Sequence, residues 1–456
     1  MDLEIIILAA GQGTRMKSPL PKVLHPVAGV PMLQHVVTTA RALQPSAIHV
    51  VIGHGADAVR DALSSEQLDW VVQEEQLGTG HAVLQAMPRV DPGSTVLVLY
   101  GDVPLISAST LSALVEKVRG GPALLTARVA DPVGYGRVLR DERGHVTGVV
   151  EHKDAGAEEL LIDEINTGVL AAPAIDLNAY LPAVGNANSQ GEYYLPDVLA
   201  MAVADGKPVP AQVATSELEI LGVNDRLQLS QVEREYQLRQ AQQLLREGVS
   251  IADPARLDVR GSLVCGADVS IDVNVVIEGD VSLGDGVSIG PNCVISNSRI
   301  DPGATIHAMC HLEDAVVGAS ASVGPYARLR PGTVLAEQAR IGNFVETKKA
   351  NIGAGSKVNH LSYIGDCDMG AGVNVGAGTI TCNYDGVNKH KTVLGDGVFV
   401  GSNSTLVAPI EVQAGGFVAA GSTLTKPVAR DELAVSRAKQ RNIGGWQRPA
   451  KSDGES

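Results

Sequence analysis

IDVNVVIEGDVSLGDGVSIGPNCVI, residues 271–295, carries an aliphatic residue at every sixth position. The period continues, with interruptions, as far as residue 424, and glycine often follows the aliphatic residue directly. One aliphatic side chain in six, with Gly or Asn nearby to adopt corner conformations, is typical of a parallel β-helix. A β-sandwich of short strands is the alternative, but it predicts a turn every roughly 8–12 residues and would not keep this register. We therefore predict a left-handed parallel β-helix over residues 249–456.

The repeat is interrupted between Ile364 and Leu394. No large aliphatic residue occupies the hexad positions of this interval, which are Gly370, Gly376, Cys382 and Asn388. The segment 378–391 is therefore predicted to leave the β-helix as a loop. Insertions in repeat proteins lie on one face and commonly carry function.

The first 225 residues follow a different pattern, in which short β-branched runs alternate with segments of helical length. The runs are residues 4–9, 49–53 and 95–101, and the helical segments include 32–43 and 110–119. Buried strands followed by helices indicate βαβ units and a mostly parallel sheet in three layers, so residues 1–225 are predicted to form a Rossmann-like α/β domain. Ligands of such sheets bind beyond the carboxyl ends of the strands.

Residues 226–248 are predicted to form one long helix that links the two domains. The segment contains neither Gly nor Pro before Gly248 and is rich in Gln, Glu, Arg and Leu. Its polarity favours an exposed connector. A coiled-coil seam is the alternative, but the apolar positions hold no regular heptad.

Composition restricts the classes of function. With 36 Lys and Arg against 51 Asp and Glu, the net charge of −15 argues against a nucleic-acid binder. The N-terminus is acidic rather than basic, and no apolar run approaches the roughly 18–20 residues of a membrane span. The five cysteines form no CxxC pair. We expect a soluble cytoplasmic protein without a membrane partner, and we expect the polar tail 448–456 to be disordered.

The first motif with chemical content is LAAGQGTRM, residues 8–16, directly after the first strand, with Pro21-Lys22 shortly beyond it. Glycine lets the backbone approach a phosphate closely, and Arg15 and Lys22 supply cations for a triphosphate. The motif is neither a Walker A loop nor a complete GxGxxG. It resembles that of the sugar-nucleotide pyrophosphorylases, which join a sugar 1-phosphate to a nucleoside triphosphate. The slot often held by Lys in that family is Gln12 here, which removes one candidate cation.

Further motifs follow in the order this resemblance requires: Gln73 with QLGTGHA (76–82), YGD (100–102), GYGR (134–137), EHKD (151–154), INTG (165–168) and GVND (222–225). Asp102 and Asn224 are the implied Mg²⁺ ligands, since Mg²⁺ prefers oxygen donors. Gly136, Glu151 and Asn166 are the implied sugar contacts. The implied nucleotide-sugar and UTP residues are Leu8, Ala9, Ala10, Gly11, Lys22, Gln73, Gly78, Thr79, Tyr100, Gly101, Asp102, Gly136, Glu151, Asn166 and Asn224, with Arg15 and Lys22 catalytic.

The combination of this domain with a hexapeptide β-helix resembles the bacterial bifunctional family of N-acetylglucosamine-1-phosphate uridylyltransferases and glucosamine-1-phosphate N-acetyltransferases. The resemblance covers all but the last few residues. It implies that His360 is the general base of acetyl transfer, a role that imidazole fills well near neutral pH, and that Glu346 orients it. The implied glucosamine 1-phosphate residues are Arg330, Lys348, Tyr363, Asn374 and Lys389. The implied acetyl-CoA residues are Ala377, Asn383, Tyr384, Ser402, Ala420 and Arg437.

This family implies a homotrimer, in which the acetyl site forms between β-helices. The expected activity is acetylation of glucosamine 1-phosphate by acetyl-CoA, followed by Mg²⁺-dependent uridylyl transfer from UTP. One alternative is a monofunctional pyrophosphorylase whose β-helix serves only assembly. Another is a non-catalytic chain, like the related regulatory subunits of a translation-factor exchange complex.

Overall fold

A computed structural model describes residues 2–449, so most of the tail expected to be disordered, from Ala450 onward, lies outside the described residues. The chain divides into two compact units, with the boundary between Gln240 and Ala241. No helix within residues 2–449 combines the length and the apolar character that a membrane crossing requires.

A mixed, mostly parallel sheet organises the first unit. From one edge to the other its strands are Ala211–Val213, Ala123–Arg128, Glu164–Pro173, Thr95–Tyr100, Leu3–Ala9, Ala47–Ile52 and Asp69–Val72. Glu164–Pro173 runs antiparallel to both of its neighbours, whereas the other pairs along this path are parallel. A hairpin of Arg137–Arg140 and Val146–Val150 joins the sheet through Glu164–Pro173.

Helices cover both faces of this sheet, which gives the predicted three layers. The helices of the unit are Met32–Ala42, Ala56–Ala62, Thr79–Ala86, Ala108–Val115, Ala174–Tyr180 and Asp197–Ala204. In the strand Leu3–Ala9, Ile5 and Ile7 belong to one hydrophobic cluster and Ile6 and Leu8 to another on the opposite face. Both faces of the sheet are therefore covered by apolar packing. The polar groups that could bind a ligand are expected in the loops at the strand ends.

The predicted long helix is present as Arg226–Arg246, and Gly248 follows it with a φ of 100°. The expectation that it is an exposed connector is wrong for one face. Val232 is fully buried and belongs to a cluster that includes Met16 and Val223. The boundary between the two units falls inside this helix.

The second unit is a left-handed parallel β-helix, as the hexad pattern predicts. One sheet, called here the front sheet, consists of Ser250–Ile251, Ser270–Ile271, Ser288–Ile289, Thr305–Ile306, Ser322–Val323, Arg340–Asn343, Lys357–His360, Asn374–Val375, Phe399–Val400, Phe417–Val418 and Leu433–Ala434. The second residue of each pair points inward, so that aliphatic side chains stack on one another through the core.

A larger sheet supplies the remaining faces. Its strands are Leu257–Cys265, Val275–Leu283, Val294–Ser296, Arg299–Ile300, His311–Glu313, Val316–Val317, Arg328–Leu329, Val334–Leu335, Glu346–Ile352, Tyr363–Met369, Ile380–Cys382, Thr392–Leu394, Thr405–Val407, Ile410–Val412 and Thr423–Leu424. Single long strands such as Glu346–Ile352 pair with two separate strands of the preceding coil, Arg328–Leu329 and Val334–Leu335, and thus pass around a corner.

The interruption of the repeat is shorter than predicted. Ile380–Cys382, inside the expected loop, is a regular strand that pairs with Tyr363 and with Thr405–Val407. Only the residues after Cys382 leave the coil, and a bridge between Tyr384 and Lys389 closes them into a small hairpin.

Candidate active sites

The nucleotide motifs of the first unit meet around a cavity of about 210 Å³ at the carboxyl ends of the central strands. The predicted residues that line it are Leu8, Ala9, Ala10, Gly11, Lys22, Gln73, Gly78, Thr79, Tyr100 and Asp102. Gly101 lies behind this surface, and its amide donates to the Leu8 carbonyl over 2.9 Å. Val23, Gln76, Ala82 and Glu192 complete the lining.

Four polar residues from three separate loops converge at one end of this cavity. The Lys22 ammonium contacts the Asp102 carboxylate and lies 3.4 Å from the Asn224 amide oxygen. Arg15 donates to that same oxygen over 2.8 Å. The backbone keeps the two acceptors adjacent, because the Val223 amide donates to the Asp102 carbonyl over 2.9 Å. Residues about 200 positions apart are thus brought within hydrogen-bonding distance.

The donor set at this position fits Mg²⁺. A carboxylate oxygen of Asp102 and the amide oxygen of Asn224 already share one cation, the ammonium of Lys22. Hard oxygen donors of this kind suit Mg²⁺, which usually takes only one or two protein ligands and completes its shell with phosphate and water. Within residues 2–449, no group of three or more His, Cys, Asp or Glu side chains could hold a metal.

The helix Thr79–Ala86 begins in contact with the segment around Tyr193, which sequence analysis did not identify. The Gly80 amide donates to the Tyr193 carbonyl over 2.8 Å, and the Tyr193 amide donates to the Leu77 carbonyl over 2.8 Å. A Cβ on Gly78, whose φ is 110°, would lie 2.7 Å from the Tyr193 carbonyl oxygen. Gly78 is therefore required by close backbone approach, which also brings Glu192 to the cavity.

Gln73 is 3% exposed and its amide is fixed from two sides. Its Nε2 lies 3.3 Å from the Gly78 carbonyl oxygen and 2.9 Å from Nδ1 of His81. The amide therefore faces the cavity in one orientation, as a group that recognises a base edge must.

The predicted sugar contacts lie together beside Tyr100. The Asn166 amide donates to the Gly136 carbonyl over 2.8 Å, and a Cβ on Gly136 would lie 3.0 Å from Oε1 of Glu151. Gly168 leaves room for the Tyr100 ring, which a Cβ there would meet at 2.6 Å. These residues form a continuous surface of small and hydrogen-bonding groups.

Burial changes the acidity of three groups at this surface. Burial, followed by the carboxylates of Asp102 and Glu151, raises the pKa of Tyr100 above its ordinary value. Burial also raises the pKa of Glu151, and the carboxylates of Asp154, Asp197 and Glu192 add to the effect. The pKa of Asp197 is raised as well, by burial and by Asp154. The surface is thus crowded with acids and suits a ligand rich in hydroxyl groups.

In the β-helix, the predicted base and several predicted acetyl-CoA residues occupy one corner in four consecutive coils. The His360 carbonyl accepts from the Gly378 amide, which follows Ala377, over 3.4 Å. The Ala377 and Ser402 carbonyls accept in the same way from the coils above them, each over 2.8 Å. The corner column consists of His360, Ala377, Ser402 and Ala420, with about 4.8 Å between coils. Arg437 continues it, since its guanidinium donates to the Ala420 carbonyl.

The imidazole of His360 is exposed, and its Nδ1 lies 2.8 Å from Oδ1 of Asn343, one coil below. That Glu346 orients this ring stays a prediction. Glu346 lies on the neighbouring face, where its carboxylate accepts from Arg330 over 2.9 Å. Sequence analysis did not identify Asn343, which the strand register makes the stacking neighbour 17 residues before His360.

We expect Asn343→Ala to lower kcat of acetyl transfer by about five- to tenfold, since a hydrogen bond that fixes the ring is worth about 1 kcal/mol. KM for the amino sugar should change less than twofold, because the asparagine acts through His360. Steady-state thiol release measures both constants.

Asn343→Asp keeps an acceptor oxygen and should retain most of the activity. Asn351→Ala, which removes an exposed asparagine elsewhere on the β-helix, is the matched control. A rise in KM for the amino sugar without a fall in kcat would contradict the positioning role of Asn343.

The predicted phosphate-binding cations form a cluster on the larger sheet. Lys348 lies beside Lys389 and near Arg330, and the Lys389 ammonium holds the pKa of Lys348 below its ordinary value. Partial burial lowers it further, while Asp366 acts in the opposite direction. Two ammonium groups this close repel each other, and a bound anion would relieve that repulsion.

The lowered pKa of Lys348 gives a pH dependence with a definite sign. Lys348 should lose its proton at a lower pH than an ordinary lysine, whose pKa is about 10.4. As the pH is raised, KM for the sugar phosphate should therefore begin to increase at a lower pH than an ordinary lysine would give. Lys389→Gln should raise KM on the order of fivefold at neutral pH and move the alkaline onset to higher pH. Lys357→Gln, on the front sheet, is the control. Identical pH profiles of KM in wild type and Lys389→Gln would contradict the coupling.

The remaining predicted residues of this site are not all brought together within one chain. Asn374 lies on the front sheet, whereas Lys348 and Tyr363 lie on the larger sheet. Asn383 and Tyr384 follow the strand Ile380–Cys382 and are separated by it from the corner column. Asn383 donates to Asp366 over 2.5 Å, and Tyr384 is exposed.

Comparison with known proteins agrees with this division into two units. A family model described as "MobA-like NTP transferase domain" matches residues 5–164, and one described as "GMPPB C-terminal domain" matches residues 259–352. A protein of Marinobacter nauticus named "Bifunctional protein GlmU" is 59% identical over 451 residues and covers 99% of both chains. Proteins of the same name from Pseudomonas putida and Stutzerimonas stutzeri are each 57% identical, and cover 99% of this chain and 99% and 100% of their own.

These similarities extend over nearly the whole chain and so through both units, which favours a bifunctional transferase over a nucleotidyltransferase with a purely structural β-helix. The chain belongs to the family of bifunctional GlmU proteins.

Proposed function

We propose that the protein synthesises UDP-N-acetylglucosamine in two steps, acetylation of glucosamine 1-phosphate by acetyl-CoA and uridylyl transfer from UTP to the product. The acetylation is assigned to residues 249–456, the uridylyl transfer to residues 1–225, and residues 226–248 link the two. The observation that carries the proposal is that each unit brings predicted site residues together: a cavity lined by the nucleotide motifs and Lys22 in one, and in the other an exposed imidazole at one corner with a separate cluster of cations on the larger sheet.

In the acetylation step, the amine of glucosamine 1-phosphate attacks the thioester carbonyl of acetyl-CoA. His360 accepts the proton that the amine loses, the new C–N bond replaces the C–S bond, and the proton leaves with the thiolate of CoA. Arg330, Lys348 and Lys389 hold the phosphate dianion, and Tyr363 and Asn374 contact the sugar. Ala377, Asn383, Tyr384, Ser402, Ala420 and Arg437 bind acetyl-CoA.

In the uridylyl step, a phosphate oxygen of N-acetylglucosamine 1-phosphate attacks the α-phosphorus of UTP, and pyrophosphate leaves in line. Arg15 and Lys22 hold the triphosphate at the glycine-rich loop, so that charge on the leaving group is offset. Asp102 and Asn224 would hold Mg²⁺, which would add to the neutralisation of that charge. Gln73 reads the uracil, and Gly136, Glu151 and Asn166 bind the sugar.

The distribution of the acetyl site over separate surfaces supports a homotrimer. A ridge of exposed apolar side chains, consisting of Met309, Tyr326, Phe344 and Leu361, runs up to the corner that holds His360. All four have positive φ, between 49° and 61°, which bulky residues rarely adopt. The rings of Tyr326 and Phe344 stack 5.3 Å apart. Large apolar groups held out of the core at a conformational cost favour burial by a second copy.

Tyr326→Ser with Phe344→Ser tests this assembly, with the mass in solution measured by light scattering. We expect a mass below that of three chains and loss of acetyl transfer, while uridylyl transfer continues. An unchanged mass would show that the ridge is not an interface.

The substrates implied are small molecules, and the net charge of −15 together with five free cysteines supports a cytoplasmic protein that binds neither nucleic acid nor membrane. The decisive experiment supplies glucosamine 1-phosphate, acetyl-CoA, UTP and Mg²⁺ and follows free thiol and pyrophosphate separately. Both products, with pyrophosphate dependent on acetyl-CoA, are expected. Pyrophosphate from added N-acetylglucosamine 1-phosphate without any thiol release would refute the acetyltransferase assignment.

A further inference from the structure

A half-buried histidine lies in the first turn of the helix Thr79–Ala86, and no step of the proposed reaction uses it. Both ring nitrogens of this residue, His81, face side-chain amides. Nδ1 lies 2.9 Å from Nε2 of Gln73, and Nε2 lies 3.2 Å from Nε2 of Gln85. A neutral imidazole has one N–H and one nitrogen that can only accept. Only one of the two amides can therefore donate to the ring.

The Gly78 carbonyl determines the orientation of the Gln73 amide. A carbonyl oxygen only accepts hydrogen bonds, and this one lies 3.3 Å from the Gln73 nitrogen. If the amide were turned over, its oxygen would face the carbonyl, and the two acceptors would repel each other. The nitrogen therefore stays on this side and donates one proton to Gly78 and the other to Nδ1 of His81. Nδ1 must then be the unprotonated nitrogen of the ring.

The ring proton consequently lies on Nε2, which faces Gln85. The amide oxygen of Gln85 is the group that can accept this proton. A half-turn of the amide about its terminal bond exchanges nitrogen and oxygen without any other movement. Gln85 follows His81 by four residues, so the two side chains are neighbours on one helix face. His81 is thus held in one tautomer, between an amide that donates to it and an amide that accepts from it.

The oxygen of Gln73 is left as the group that meets a ligand. Gln73 lines the nucleotide cavity, and both protons of its amide are engaged on the protein side. Within residues 2–449, no protein donor occupies its Oε1. An oxygen only accepts, so the base edge opposite it must carry an N–H. Uracil presents its imino N3–H there, whereas N3 of cytosine is an acceptor that would repel the oxygen.

We propose that His81 is a positioning residue for base selection: its unprotonated Nδ1 holds the Gln73 amide with the oxygen toward the base, so that the cavity prefers uracil to cytosine. Gln73 lines the cavity and His81 lies behind it, so the histidine acts through the amide. Without the imidazole, only the longer bond to Gly78 would oppose rotation of the amide. This inference rests on the proposed uridylyl transfer and adds the residue that fixes its choice of base.

The test compares UTP with CTP, whose bases have the same size and differ at this edge. In His81→Leu, the ratio of kcat/KM for UTP to that for CTP should fall on the order of tenfold, which corresponds to about 1.4 kcal/mol. Most of the fall should come from a higher KM for UTP. The kcat at saturating UTP should stay within about twofold, because the reacting phosphates are held elsewhere. His81→Asn, which keeps an acceptor oxygen near the position of Nδ1, should recover most of the ratio.

His35→Leu is the matched control, since it removes another half-buried histidine on a helix of the same unit, also beside a tyrosine ring. It should leave the ratio unchanged. His81→Ala, which introduces no bulk beside Tyr193, should give the same fall as His81→Leu. Equal losses with UTP and CTP in both His81 variants would show that the histidine only supports the fold and would overturn the proposal. An unchanged ratio in a variant with a normal melting curve would overturn it as well.

Calorimetric titration of UTP and of CTP with Mg²⁺ into the same variants, without a sugar phosphate, separates this inference from the proposed function. The wild type may be found to bind UTP more tightly than CTP and yet release no pyrophosphate with N-acetylglucosamine 1-phosphate. The proposed function then fails, while loss of the preference for UTP in His81→Leu still supports the role of His81. Equal affinity of the wild type for both nucleotides would refute the inference.

Discussion

His360→Ala should reduce the release of thiol from acetyl-CoA by about 10²–10⁴-fold, the range typical of a removed general base. The imidazole is the titratable group of the corner column, it is exposed to substrate, and Asn343 fixes its orientation over 2.8 Å. Pyrophosphate release from UTP and N-acetylglucosamine 1-phosphate should be unaffected, since that chemistry belongs to residues 1–225. The two products are measured separately in the same sample.

His311→Ala is the matched control for this experiment, because it removes another exposed histidine of the β-helix. It should retain both activities. Thiol release by His360→Ala within a factor of ten of the wild type would rule out the imidazole as the base of acetyl transfer.

Asp102→Ala should reduce pyrophosphate release on the order of 10²–10³-fold while acetyl transfer continues. The carboxylate is one of two oxygen donors at the end of the nucleotide cavity, and it is the ion-pair partner of Lys22. Its removal costs a negative charge that would hold Mg²⁺ and also releases the ammonium that should meet the triphosphate. The rate should be measured over a range of Mg²⁺ concentrations.

The Mg²⁺ series distinguishes metal binding from a general loss of structure. In Asp102→Ala the concentration needed for half-maximal rate should rise, whereas Asp57→Ala, at a surface carboxylate, should match the wild type. A variant with reduced rate and an unchanged Mg²⁺ dependence would refute Asp102 as a metal ligand.

The architecture was predictable because its physical cause is visible in the sequence. One inward aliphatic residue per hexad specifies the stack that runs through Ile271, Ile289 and Ile306, and strand-end motifs identify the loops that carry Lys22, Asp102 and Asn224. The distances among those loops depend on the order of strands in the sheet, which local pattern does not determine. The contact between Gly78 and Tyr193 illustrates this, since it joins residues more than a hundred positions apart.

The errors have equally specific causes. The family resemblance implied Glu346 as the partner of His360, whereas in a β-helix the nearest side chain at the same corner lies one coil away, at Asn343. The helix Arg226–Arg246 is so rich in charged and amide side chains that the buried contact of Val232 does not stand out. The strand Ile380–Cys382 was assigned to a loop because the hexad count placed Cys382 at the inward position, whereas Thr381 fills it.

The corner column also determines the order in which the parts of the acetyl site are lost when the β-helix unfolds. Each coil of a solenoid is stabilised only by its immediate neighbours, so fraying proceeds inward from a free end one layer at a time. Loss of the last coils would remove Arg437 and then Ala420 while His360, three coils deeper, stayed in place. Partial unfolding from the C-terminal end would therefore abolish binding of the acetyl donor before it displaced His360. The resulting intermediate would keep its general base but could not bind acetyl-CoA.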